Sequence, residues 1–166
     1  MSAPCSDAGL ATAPTPGMDE RALLGCVAWV AHGFELVQSI FPRWAFTLPD
    51  TVAAYGLHGR LLIGPRHAIG ENRDDWLRDL ATFRIDLKHD GMGLDQGRAS
   101  NVLGGPLSAL RHLVEVLAGD PDNPPLAAGE IVTTGTLTRA FPVSPGETWT
   151  TELSGIALDG LAVRFA

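Results

Sequence analysis

Two hydrophobic periods alternate along this chain, and each change of period marks an element. In "MDERALLGCVAWV", Leu23, Leu24, Val27 and Ala28 fall on one helical face. Asp19 is placed to cap that helix, and Met18 to staple onto Leu23. The helix is predicted to end near Trp29. From Val30 the period becomes two, as in a strand. Ala31, Gly33, Glu35, Val37 and Ser39 share one face, and His32, Phe34, Leu36 and Gln38 the other. Glu35 is the one acid in "VAHGFELVQSIF", and a lone carboxylate among apolar residues is expensive to bury without a partner. Its face carries small residues, which leave room for an ion or a ligand.

Further along, "FPRWAFTLPDTVAAYG" predicts an irregular connection with a short helix capped by Asp50. "LHGRLLIG" predicts a strand, and "AIGENRDDW" a polar loop. In "TFRIDLKHDG", apolar Phe83, Ile85 and Leu87 alternate with Arg84, Asp86 and Lys88, the pattern of a half-buried strand before an Asp90-Gly91 hairpin turn. "PLSALRHLVEVLAG" is the best helix: Pro106 suits its first turn, Leu107, Leu110, Val114 and Leu117 form its apolar stripe, and Gly119 stops it. "EIVTTGTLT", "ETWTTELSGI" and "LAVRF" predict three closing strands. Residues 1–17, rich in Ala, Pro, Ser and Thr, read as a mobile tail before one domain over 18–166. This order lacks regular βαβ alternation and predicts an α+β, mostly β fold with two main helices.

Composition narrows the function. With 166 residues, 45% hydrophobic and 19% charged, the chain is long enough for a real core. A net charge of −7 without a Lys/Arg cluster argues against nucleic acid. No apolar run reaches the roughly 20 residues of a membrane span, and the first residues do not form a secretory signal, so a cytoplasmic protein is expected. Cys5 and Cys26 match no zinc or redox spacing and read as a tail thiol and a packed helix thiol. None of the five histidines makes an HExxH spacing, and no GxSxG elbow is present. "GRASNVLGGP" lacks both the Lys-Ser/Thr ending of a P-loop and the GxGxxG pattern. The threonines around Gly135 offer hydroxyls at a strand end, and they also suit ordinary sheet work.

Five segments in order, "VAHGFELVQSIFPRWAF", "DTVAAYGLHGRLLIG", "GRASNVLGGPLSALRHLV", "LAAGEIVTTGTL" and "FPVSPGETWTTELSGIALDGLAVRF", resemble the C-terminal two thirds of the 2-keto-4-pentenoate hydratase/oxalocrotonate decarboxylase family, within the fumarylacetoacetate hydrolase superfamily. The resemblance runs over about residues 17–166. It implies a mixed β-roll and a divalent metal, Mg²⁺ or Mn²⁺, that binds a 2-oxo or 2-hydroxydienoic acid and acts as a Lewis acid. It also implies that Glu35 is the third metal carboxylate and that Thr134 and Gly135 hold the substrate. The family's other two carboxylates form a Glu-x-Glu pair on an earlier strand. "MSAPCSDAGLATAP" stands there instead, with Asp7 its only acid. The upstream lysine segment is missing too, and Ala54 stands where the family often has a second acid. Three expectations follow: a short-form hydratase or lyase, a non-catalytic pseudoenzyme or partner subunit, or an oxo-acid binding module without metal. Strands missing from the roll would expose an edge, so a homo-oligomer or a partner chain is expected.

Overall fold

The computed structural model describes residues 1–166. It contains two sheets and four α-helices. Sheet A comprises β1 (Ser2–Leu10), β2 (Val27–Val37), β3 (His58–Ile63), β4 (His67–Ala68) and β7 (Ile131–Thr136). Its order is β3-β2-β1-β7, with β4 pairing the start of β2. Sheet B comprises β5 (Arg84–His89), β6 (Met92–Arg98), β8 (Thr148–Ser154) and β9 (Ala162–Arg164), in the order β6-β5-β8-β9. Every ladder is antiparallel. The helices are α1 (Glu20–Cys26), α2 (Leu48–Ala53), α3 (Arg73–Thr82) and α4 (Pro106–Ala118).

Two apolar layers hold these parts. Leu23 and Leu24 of α1, Trp76 and Leu80 of α3, and Leu107, Leu110 and Val114 of α4 pack on Ala8, Val30 and Val132 of sheet A. A smaller cluster of Phe34, Leu87 and Trp149 joins sheet A to sheet B. His32 reinforces that junction. Its Nδ1–H donates to the Cys5 carbonyl at 2.9 Å, and its Nε2 accepts from Thr151 Oγ1 at 2.8 Å. A carbonyl can only accept, so Nδ1 carries a proton, and burial pushes the ring pKa down to about 4, which leaves it neutral near pH 7.

The largest departure from the sequence reading is at the start of the chain. Residues 2–10 are not a mobile tail. They form β1, buried along its whole length between β2 and β7. "SAPCSDAG" contains no β-branched or aromatic residue, so β-propensity does not reveal it. Small side chains are nevertheless what an inner strand covered on both faces accommodates. Cys5 is accordingly a fully buried strand thiol rather than a tail thiol.

Other corrections are local. Helix α1 ends at Cys26, because Val27 already pairs with Leu10 in sheet A. Asp19 does cap it, accepting from the Ala22 amide at 2.8 Å. Thr47, not Asp50, is the N-cap of α2; Asp50 sits three residues on and completes a capping box. The polar loop predicted at 68–76 gives way to α3, whose Asp74 and Asp75 suit a helix N-terminus and whose Trp76 and Leu80 are buried one turn apart. Helix α3 is thus added to the two main helices and the short one that were expected. The Asp90-Gly91 turn forms as predicted, both residues having positive φ.

Candidate functional site

The register of sheet A gathers the acids. Ala3 lies opposite Glu35, Cys5 opposite Gly33 and Asp7 opposite Ala31. On the other side of β1, Asp7 lies opposite Thr133. Directly opposed residues of antiparallel strands project to one face, so Cys5, Asp7, Glu35 and Thr133 share a face floored by Ala3, Ala31 and Gly33. Gly33 is required there. A Cβ at that position would overlap the Asp7 carboxylate and the Leu62 carbonyl.

Asp7 is 2% exposed. Thr133 Oγ1 donates to its Oδ1 at 2.8 Å, and the Cys5 thiol approaches the same oxygen at 3.8 Å. Burial pushes the Asp7 pKa up to about 6; the two hydrogen bonds oppose that rise and the charge of Glu35 adds to it. The Cys5 thiol is pushed far above its ordinary value by burial and then by the charges of Asp7 and Glu35. Cys5 is therefore a neutral thiol near pH 7, unsuited to nucleophilic attack or metal ligation. Glu35 answers its burial problem with His58, whose Nδ1 donates to Oε1 at 3.0 Å. Its side chain keeps 26% of its exposure, so this end of the site is open. At the other end the Trp29 indole covers Gly9, and the Arg66 guanidinium stacks on that indole at 4.4 Å.

The structure does not bring Thr134 to this face. Its Oγ1 is 2.7 Å from Ser6 Oγ and donates to the Ser6 carbonyl at 3.2 Å. Ser6 precedes Asp7 in an extended strand and so points the opposite way. Thr134 and Ser6 there line a small apolar cleft with Val30, Leu107, Leu110 and Leu158. Gly135 lies in a β-bulge, where the ladder jumps from Cys5↔Thr136 to Asp7↔Thr133. Its φ of 124° is open only to glycine. The bulge puts the Thr133 hydroxyl beside Asp7, where the sequence reading had singled out Thr134.

Asp7 is a residue that reading left unassigned. A signal existed: Cys5-x-Asp7 has the i, i+2 spacing of the expected Glu-x-Glu pair. Composition hid it, because the surrounding residues looked like a tail.

Mg²⁺ takes six oxygen ligands, commonly one or two free carboxylates with waters and substrate oxygens completing the shell. Only two carboxylates share this face. One is buried, raised in pKa and held by Thr133; the other is bound to His58. Cys5 stands where a third acid would help. No group of three or more His, Cys, Asp or Glu side chains in the chain is arranged to hold a metal ion. The donor set does not fit Mg²⁺ or Mn²⁺.

Comparison with known proteins gives a consistent picture. No family model matches the chain. The chain is 30% identical over 150 residues to a 4-oxalocrotonate decarboxylase of Pseudomonas putida, covering 90% of this chain and 53% of that protein. It is 29% identical over 141 residues to a 2-hydroxyhexa-2,4-dienoate hydratase of Comamonas testosteroni, covering 85% and 51%. Its fold superposes on the 4-oxalocrotonate decarboxylase from Pseudomonas putida G7, complexed with magnesium and adipate, with a TM-score of 0.85 at 24% identity, over 99% of this chain and 60% of that one. The chain thus spans about half the length of the curated relatives it matches.

Proposed function

We propose, from its likeness to 4-oxalocrotonate decarboxylases and 2-hydroxydienoate hydratases, that the chain is a member of the 2-keto-4-pentenoate hydratase/oxalocrotonate decarboxylase family and acts on 2-oxo or 2-hydroxydienoic acids in hydratase or lyase chemistry. The observation that carries this reading is Asp7 beside Glu35 on a face of small residues whose Glu35 end reaches the surface. Ketonising a dienol and adding water across a conjugated double bond both require a proton to move. A carboxyl group with a pKa near 6 gives and takes protons close to neutral pH. In this reading Asp7 carries the proton, Thr133 fixes its orientation, and Glu35 with His58 forms the polar rim that the acid meets. Family members bind a divalent metal as a Lewis acid. The donors of this chain do not fit one, so no step is assigned to it.

A second reading has its own support. Cys5 stands at one member of the expected carboxylate pair, and the Thr134 hydroxyl is committed to Ser6. Those features suit a non-catalytic subunit that keeps the oxo-acid pocket. A single experiment separates the two. The chain is incubated with a 2-hydroxydienoic acid, and loss of the dienol absorbance is followed with Mg²⁺, with Mn²⁺ and with EDTA. Turnover abolished by Asp7→Asn and by Glu35→Gln supports the enzyme. Oxalate binding by calorimetry without turnover supports the subunit. Neither turnover nor binding removes both readings.

A further inference from the structure

The exposed face of sheet B holds a second constellation, independent of Asp7 and Glu35. Arg84 of β5 stands directly opposite Arg98 of β6, and on its other side opposite Ser154 of β8. The three make one exposed row across the sheet. Like charges directly opposed on antiparallel strands repel, and the one carboxylate that lines the groove with them, Asp86, forms no ion pair with either. None of the ion pairs of the chain uses either guanidinium. The acids on the neighbouring row are occupied. Asp86 Oδ1 accepts from Gln96 Nε2 at 2.6 Å, and Glu152 pairs with Lys88. The row lines a groove of about 230 Å³ floored by Ile85 and Gly97.

We infer that Arg84, Arg98 and Ser154 form a binding site for a doubly charged oxyanion, the phosphate or dicarboxylate group of a small metabolite. Two guanidinium forks side by side can each give parallel N–H donors to one such group, and the serine hydroxyl adds another. The anion removes the repulsion that the empty row carries, so binding relieves the fold as well as satisfying the ligand. The volume suits a headgroup of a few heavy atoms rather than a polymer.

The test uses the full chain at constant ionic strength, maintained with sodium chloride. Inorganic phosphate and oxalate are titrated separately, by calorimetry and by thermal melting. Saturable binding is expected, with affinity falling about tenfold or more in Arg84→Gln and in Arg98→Gln. Each variant should melt at or above the wild-type temperature without ligand, because the like-charge pair is gone; this also confirms that the variants fold. A preference for phosphate assigns a phosphate-bearing ligand, and a preference for oxalate a dicarboxylate. Binding that survives in the double variant, or a melting shift that chloride alone reproduces, overturns the site.

Discussion

Asp7 and His32 occupy neighbouring strands of sheet A, both 2% exposed, and their titrations push stability in opposite directions. The folded Asp7 has a pKa of about 6 against an ordinary 3.8, chiefly because burial penalises its charge. Its contribution is therefore full below the unfolded pKa and is lost as pH rises through 6. The folded His32 has a pKa of about 4 against 6.5, again because burial penalises the charged form. Its contribution is full above 6.5 and is lost as pH falls toward 4. At 1.36 kcal/mol per pH unit of displacement, each group accounts for about 3 kcal/mol. Between pH 4 and 6 the two slopes have equal size and opposite sign, so they cancel.

Removing one group exposes the other. Asp7→Asn keeps an acceptor for Thr133 but cannot titrate, so its stability should fall by roughly 3 kcal/mol between pH 7 and pH 4 relative to wild type. His32→Gln, which can still donate to the Cys5 carbonyl, should show the reverse: its stability rises relative to wild type over the same descent, by about the same amount. The assay is urea unfolding at pH 4, 5, 6 and 7. Only the difference between variant and wild type is read, so the exposed carboxylates drop out. Variant and wild-type curves running parallel across that range would refute the burial account of both groups.

Three further outcomes are expected. Gly33→Ala should destabilise the chain by about 2 kcal/mol in urea, because the new methyl meets the Leu62 carbonyl as well as Asp7; Asp7→Ala should not rescue it, and full rescue would show that the backbone contact is absent. Thr133→Val removes the donor to Asp7 Oδ1 and should move the carboxyl titration, followed by NMR, further upward; a downward move contradicts the assigned hydrogen bond. Ile40, Leu48, Val52 and Tyr55 are all more than 70% exposed within one segment, a surface that favours self-association. Light scattering at micromolar concentration should give more than the monomer mass, and Leu48→Ser with Val52→Ser should lower it; a wild-type monomer ends that idea.

Legibility followed the strength of periodic burial. Helix α4 and strand β5 bury a regular apolar set, Leu107, Leu110 and Val114 in one and Ile85 and Leu87 in the other, and both were readable from pattern alone. So was the face of Glu35, since the alternation from Ala31 to Leu36 holds in β2, the register shifting only at Val37. Helix α3 was lost because its apolar positions begin late, at Trp76, after a polar first turn that resembles a loop. Strand β1 was lost for a different reason. An inner strand packed against a helix layer on one side and a narrow polar site on the other is selected for small size, and small residues carry almost no β signal. The same smallness at Ala3, Cys5 and Gly33 gives Asp7 and Glu35 their shared face. The segment least readable as structure is thus the one that supplies the candidate site, and both facts have one cause. The bulge at Thr134-Gly135 follows similar logic: which of two adjacent threonines reaches Asp7 depends on the register with β1, a non-local quantity that local pattern does not contain.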